Sequence, residues 1–600
     1  MFQSFVATTT PATGAARLAA LRTVLAEEGL AGFLVPRADA HQGETVAPRD
    51  ERLAWLTGFT GSAGTAVVLA EEAAVFADGR YTLQVGDQID TTAYSPVASH
   101  KVKVADWLAE RLGEGDVLGY DPWLHGAEEI ARLGERLADC GATLRPIPNP
   151  IDRIWEDQPA PPQAPIVPYP EALAGKSAAE KRADLAADLR EEGIAAAVLT
   201  LPDSIAWLLN IRGSDVERRP IPLVFALLHA DGTVTLIADP AKIGEEPADH
   251  LGPEVSVVPP DVFGATLDAL SGPVAVDKAS APIWVSDRLK DAGIDVVWRQ
   301  DPCILPKASK TEAEIAGARE AHLRDGAAMV EFLAWLDQAA PSGTLTEISV
   351  VQQLEAFRRA TNALRDLSFD TICGAGPDGA IVHYRVTEAT DRPVTPGDIL
   401  LVDSGGQYLD GTTDITRTVA TGPAPEDAIR AFTLVLKGMI AISRARWPEG
   451  LAGRDLDALA RINLWQAGFD YDHGTGHGVG AYLGTHEGPQ SLSRRGEVAL
   501  APGMILSNEP GYYREGAFGI RIENLIVVTS PEVPPLGDRP MLGFETLTYV
   551  PIDRRLIDTA LLTAEERIWL DAYHAETRAR LSSRLSDDAA DWLAQATEPL

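Results

Sequence analysis

Cysteine is scarce in this chain: three residues in 600, at Cys140, Cys303 and Cys373. They lie far apart and make no CxxC or other metal-ligand spacing. That excludes a cysteine-held zinc and argues against a disulfide scaffold. A reducing compartment suits such a chain, and the expected location is the cytoplasm. Long apolar runs are also missing. No stretch approaches the ~18 residues that a membrane span requires. The start, Met1-Phe2-Gln3-Ser4-Phe5, has neither a basic region nor an apolar core of signal-peptide length. Positive charge is in deficit, with 52 Lys and Arg against 87 Asp and Glu, a formal net charge of −35. This balance opposes nucleic acid or an anionic membrane as a partner and favours solubility.

What is present describes a soluble globular protein, 45% hydrophobic and 23% charged. Its length is too great for one core, since domains usually run ~100–200 residues. Prolines at 159, 161, 162, 165, 168 and 170 mark a stiff connector that is neither helix nor central strand. A weak repeat flanks it. The pattern Leu21-x3-Leu25-x-Glu27-Glu28-Gly29-Leu30 returns as Leu185-x3-Leu189-x-Glu191-Glu192-Gly193-Ile194. Each copy reads as a helix stopped by glycine before an apolar strand, and each later carries Ala-Trp-Leu, at 54–56 and 206–208. Two duplicated α/β domains are expected. A second boundary falls near Pro306, where Thr311-Glu312-Ala313-Glu314 forms a capping box for a long helix. The expected division is 1–155, 156–307 and 308–600, α/β in the first two and α+β in the last.

Five residues of the third segment stand in an order that a two-metal site needs: Asp403, Asp414, His477, Glu509 and Glu523. Asp403 ends the run Ile399-Leu400-Leu401-Val402, and Asp414 follows a Ser-Gly-Gly turn. The spacing predicts a hairpin, with Thr412, Asp414 and Thr416 on one face of its second strand. A single strand over 520–528 would put Arg521 and Glu523 on one face, and Glu509 would come from its neighbour. Carboxylates buried on such strands are costly unless cations compensate them. Glycines around His477 permit close approach to an ion. Their spacing, G-x-G-x-G-x-G, is not that of a dinucleotide loop. Calcium would not need His477, and structural zinc would favour cysteine or more histidine. Four carboxylates with one imidazole suit paired Mn²⁺, Co²⁺ or Zn²⁺, with Mn²⁺ the first expectation. His383, after the loop signal 374–379, and His486 are candidates for hydrogen bonds to substrate. His473 suits either a substrate contact or support of the His477 loop. The other seven histidines read as structural.

These stretches resemble the pita-bread metallopeptidases, specifically the aminopeptidase P family. The resemblance rests on Leu401–Gly406, Gly411–Thr418, His473 through Pro489, Ser507–Tyr513 and Gly519–Asn524. Asp78-Gly79-Arg80-Tyr81 and the run Phe544–Ile552 extend it to the long form, in which two creatinase-like domains precede the catalytic one. The resemblance implies removal of an N-terminal residue that precedes proline, and a homodimer. It implies that Asp403 and Asp414 hold one ion, with Asp414 and Glu523 bridging and His477 and Glu509 completing the other shell. His383, His486 and Arg521 would contact substrate. Glu509 would carry the proton from water to the proline nitrogen, and Tyr513 would wall the proline pocket. Prolidase, which cuts only dipeptides, is the nearest alternative. A non-catalytic peptide-binding relative would show degraded ligands, and none of the five is degraded.

Overall fold

A computed structural model describes all 600 residues. Chain contacts divide it into two compact units, one of residues 8–171 with 176–304, the other of 1–7, 172–175 and 305–600.

The first unit carries two six-stranded mixed sheets of the same design. In one the order is Ser95–Ala98, Ala73–Ala77, Gly64–Leu69, Gly32–Pro36, Val117–Tyr120, Thr143–Pro146. In the other it is Val255–Val258, Val234–Ile237, Phe225–His229, Ala196–Leu199, Val274–Val276, Val296–Trp298. The strand directions match as well. In each sheet the three central strands are antiparallel neighbours and the outer ones are added in parallel. The Glu-Glu-Gly repeat falls at equivalent places. Helices Gly14–Glu27 and Ala178–Glu191 each stop before a glycine at positive φ, Gly29 at 62° and Gly193 at 70°. That left-handed geometry carries no Cβ penalty in glycine. The proline-rich segment runs without helix, and only Val167–Pro168 pairs, with Ile211–Arg212.

In the second unit the capping box at Thr311 and Glu314 is formed and opens the 28-residue helix Glu312–Ala339. Its apolar face, with Met329, Phe332 and Leu333, packs in one core with Val350 and Leu354 and with Leu400, Leu401 and Val402. Ile399 and Ala420 instead join the helix residues Phe432, Val435 and Met439. The strand Ile399–Ser404 is buried throughout, which is why its first four residues run apolar without alternation. A five-stranded sheet runs Glu487–Leu492, Gly476–Gly478, Ile505–Asn508, Asn524–Val528, Phe544–Thr546.

Two expected elements differ from those observed, and both differences matter to the site. The hairpin after Asp403 does not turn at Ser404-Gly405-Gly406. The chain continues through Gly405 into Gly406–Tyr408, reverses, and returns through Gly411–Thr412 before Ile415–Ala420. A Cβ on Gly405 would meet Thr413 O at 2.0 Å, so the two limbs are too close for a regular ladder there. Thr412 pairs in one sheet and Thr416 in another, and Asp414 lies in the break between them rather than on a strand. Likewise the expected strand 520–528 is split into Phe518–Arg521 and Asn524–Val528. Gly511 is paired with Arg521 and Asn508 with Asn524, which leaves Glu509-Pro510 opposite Ile522-Glu523. Both strands change sheets at this point, and proline has no N–H to extend a ladder.

Candidate metal centre

Three of the five acidic and imidazole groups thus come from breaks in ladders, where a side chain is released from the alternation of a strand. Asp403 sits one position before such a break, in register with Thr416. His477 stands on the short strand Gly476–Gly478. Ligand atoms of Asp414, His477 and Glu523 all lie within 4.8 Å of one another. His477 Nε2 is 3.5 Å from Asp414 Oδ2 and 3.6 Å from Glu509 Oε1. Its Nδ1 is 3.0 Å from the carbonyl of Gly478. A carbonyl only accepts, so Nδ1 carries a proton, and Nε2 is the nitrogen that faces the carboxylates and is placed to ligate.

The electrostatics of this cluster are unfavourable without cations. Burial, then Asp403 and Glu509, push the Asp414 carboxyl well above the usual range. Burial, then Asp414, Asp403 and Glu509, do the same to Glu523. Burial raises Glu509 as well, against the opposing pull of His477 and Arg521. Arg521 is the cation at hand. It is buried, and its Nη2 donates to Asp403 Oδ2 at 2.6 Å. Asp403 Oδ1 is buried with no hydrogen-bond partner. Four carboxylates and one guanidinium leave three net negative charges, and two divalent cations would more than offset them. The orphaned oxygen, the Nε2 that faces the carboxylates and the like-charge crowding all fit a dinuclear site, and the oxygen-rich donor set suits borderline divalent ions.

The remaining expected residues take distinct positions. Tyr513 accepts from Arg521 Nη1 at 2.6 Å. Its hydroxyl is 2.9 Å from His473 Nε2, while His473 Nδ1 is 2.7 Å from Gly474 O. A hydrogen-bonded line thus runs Asp403, Arg521, Tyr513, His473. His486 is exposed, and its ring meets His477 edge-on with centroids 4.3 Å apart. His383 is half-buried in the loop after Gly376–Ala380, and the neighbouring Val382 O accepts from Arg521 Nη1 at 3.4 Å.

Several supporting groups were not evident from spacing. The Thr416 hydroxyl donates to Glu523 Oε2 at 2.8 Å and accepts from Arg521 Nε at 3.2 Å. Thr475, two residues before His477, donates to Asp457 Oδ1 at 2.6 Å, and Arg461 binds Asp457 Oδ2 and the carbonyls of Tyr471 and His473. Glu487, next to His486, is buried between the ammonium groups of Lys307 and Lys310. A buried carboxylate between two lysines is a sequence-distant pairing, and the spacing of Lys307 and Lys310 alone does not reveal it.

A model of metallopeptidase family M24 matches residues 316–530. The probable Xaa-Pro aminopeptidase P of Talaromyces stipitatus is 40% identical over 605 residues, covering 97% of this chain and 92% of its own. This chain belongs to metallopeptidase family M24. Two matches to the creatinase/prolidase N-terminal domain, at 17–154 and 157–314, precede the M24 segment, and its C-terminal region matches 540–600. The probable Xaa-Pro aminopeptidase P of Coccidioides posadasii is 39% identical, covering 97% of this chain and 99% of its own. Among solved structures, the X-prolyl aminopeptidase of Caenorhabditis elegans superposes with a TM-score of 0.93 at 34% identity, covering 98% of this chain and 99% of that one. It is described as a cytosolic enzyme with a di-nuclear active site. No helix of this M24 member is long and apolar enough to cross a membrane.

Proposed function

We infer that this chain is an Xaa-Pro aminopeptidase, hydrolysing the bond between an N-terminal residue and a following proline. The observation that carries the reading is the convergence of Asp403, Asp414, Glu509, Glu523 and Nε2 of His477 on one buried locus. The relatives share that printed activity over nearly the whole chain. A dipeptidase neighbour, PepE of Mycobacterium ulcerans, covers only 64% of it at 26% identity and a TM-score of 0.51.

In the proposed mechanism Asp403, Asp414, His477, Glu509 and Glu523 would hold the two divalent cations. When bound, these would supply the Lewis acidity that ionises water near neutral pH. Glu509, whose carboxyl burial raises, takes the proton of the attacking water and hands it to the proline nitrogen as the bond breaks. His486 and His383 donate to the oxygen that gains charge on the scissile carbonyl, a contribution of about 10²–10³ per donor in turnover. Arg521 fixes Asp403 through Oδ2 and leaves Oδ1, which has no hydrogen-bond partner, as the oxygen that would ligate. Tyr513 and His473 complete the line behind Arg521 and border the space for the proline ring, which lacks an N–H and has a fixed φ. We further propose Mn²⁺ as the ion, a cytoplasmic location and a homodimer.

The test is to strip the purified chain of metal and assay Arg-Pro-Pro and a matching Xaa-Pro dipeptide, with Mn²⁺, Co²⁺ or Zn²⁺ restored. Release of arginine from the tripeptide supports the reading. Cleavage of the dipeptide alone would make the protein a prolidase, and no cleavage with any ion would overturn both.

A further inference from the structure

The loop that carries His383 is held from behind by one buried carboxylate. Glu347 opens the helix Glu347–Ala360 and is fully buried. Its Oε1 accepts from Ala375 N at 2.7 Å, where the loop begins. Oε2 accepts from the Tyr384 hydroxyl at 2.9 Å, next to His383, and from Arg392 N at 3.3 Å, where the loop ends. The same helix start adds two backbone bonds: Glu347 N to Arg392 O at 3.0 Å, and Ile348 N to Asp391 Oδ1 at 3.0 Å. On its other side the loop bears on the strand that carries Arg521. A Cβ on Gly519 would lie 1.6 Å from Gly379 O, and Val382 O accepts from Arg521.

A carboxylate that served only to cap the helix would bond N–H groups of its own first turn. Glu347 instead spends both oxygens on three points of a loop that starts 28 residues later. From this geometry we propose that Glu347 is a positioning residue: it clasps the start, middle and end of the 376–391 loop and thereby sets His383 against the scissile carbonyl. This rests on the proposed Xaa-Pro hydrolysis only in taking His383 as a substrate contact.

The protonation of the clasp is unusual for a carboxyl. Burial, with Asp378 nearby, pushes Glu347 up to about 8. The groups facing it are Asp378, Tyr384, Asp391 and Cys373, with the Arg392 backbone. In its protonated form the carboxyl reverses the bond to Tyr384, donating to its oxygen, and Tyr384 then donates to Thr390 O, 3.1 Å away. The amide of glutamine keeps an acceptor for Ala375 N and a donor for Tyr384 and gives up only the bond from Arg392 N.

The experiment compares Glu347→Ala, Glu347→Gln, His383→Ala and the double variant Glu347→Ala/His383→Ala with wild type, all loaded with Mn²⁺. Hydrogen exchange of peptides from 376–391 is read with and without metal, and kcat and KM are measured on Arg-Pro-Pro from pH 6 to pH 9. Glu347→Ala is expected to speed exchange in that loop with or without metal. It should lower kcat/KM by about 100-fold, the scale of a reactive group displaced by about 1 Å. Glu347→Gln should restore most of both. The double variant should be no slower than His383→Ala alone, because the clasp acts through that histidine. Losses that multiply, or unchanged exchange and kcat/KM in Glu347→Ala, would overturn the proposal. If Glu347→Ala does not fold, Tyr384→Phe removes the middle bond alone and reads the same quantities. Inactive wild type sinks the hydrolytic reading and leaves the exchange result to judge the clasp.

Discussion

A buried carboxylate oxygen with nothing to accept from costs ~1–3 kcal/mol, and Asp403 Oδ1 is such an atom. Its twin is held by Arg521, so the side chain cannot rotate away to find another partner. Ligation removes that cost, and this predicts where metal binding is lost. Asp414→Asn and His477→Ala are each expected to abolish most bound Mn²⁺, measured by plasma emission after dialysis. Full stoichiometry in either variant would remove that residue from the ligand set. Thr416→Val makes a subtler case. Valine keeps the shape but loses the hydroxyl that joins Glu523 to Arg521. Loss of such an outer partner typically weakens metal binding by about 10–100-fold, and a chelator competition titration at unchanged circular dichroism checks it. Asp403, His477 and Glu509 were legible as candidate ligands because each stands beside glycine, proline or the end of an apolar run. Thr416 was not, because its partners lie 105 and 107 positions away and no local pattern encodes them.

At the scale of elements, three of the five candidate ligands, Asp414, Glu509 and Glu523, owe their placement to interrupted strands. Sequence periodicity reads a strand as continuous wherever apolar residues continue, so 520–528 was expected as one piece, although the chain changes sheets between Arg521 and Asn524. Nothing in the alternation marks that switch. Pro510 opposite is the single local clue, and it is on the other strand. The capping box at Thr311 was legible because its partner is three residues away, and it is formed; a second of the same spacing, Thr563 with Glu566, opens helix Ala564–Leu581. Close approaches between elements fall between these cases: the glycine is visible, its reason is not. Gly519 is paired with Tyr513 in the strand beside the site and packs on Gly379 of the His383 loop. Gly519→Ala is therefore expected to displace that loop and lower kcat/KM at least as much as Glu347→Ala. Destabilisation should be about 1–3 kcal/mol, as for overpacked cores, read as a lowered urea midpoint. A neutral Gly519→Ala would mean that the loop yields freely and that its placement does not matter.

For the molecule as a whole, the duplicated N-terminal architecture was legible from a ten-residue repeat and a tripeptide, because glycine stops and apolar strands recur at one spacing in both copies. The way the C-terminal region closes the second unit was not. Helix Ala564–Leu581 brings Tyr573 to Arg417, and His574 lies buried behind it with Nε2 accepting from Ile552 N at 3.1 Å. Two buried groups of this unit give stability opposite pH dependences. Burial, with Arg417, Arg554 and Arg578, lowers His574 from 6.5 to about 3. Below pH ~6.5 an unfolded histidine binds a proton that the folded one refuses. Falling pH therefore favours unfolding, by up to about 1.4 kcal/mol per unit until about pH 3. Glu347, raised to about 8, works in the other sense. Its contribution is fully present below the ~4.3 of an unfolded glutamate and is lost as pH rises to about 8. Urea midpoints measured from pH 5 to pH 8 should separate the two. His574→Gln, which keeps an acceptor for Ile552 N, should flatten the loss of stability between pH 6.5 and pH 5. Glu347→Gln should flatten the loss between pH 5 and pH 8. Slopes parallel to wild type in both variants would show that neither buried group titrates as its surroundings demand, and that the acid and alkaline limits of this fold are set by its surface charge.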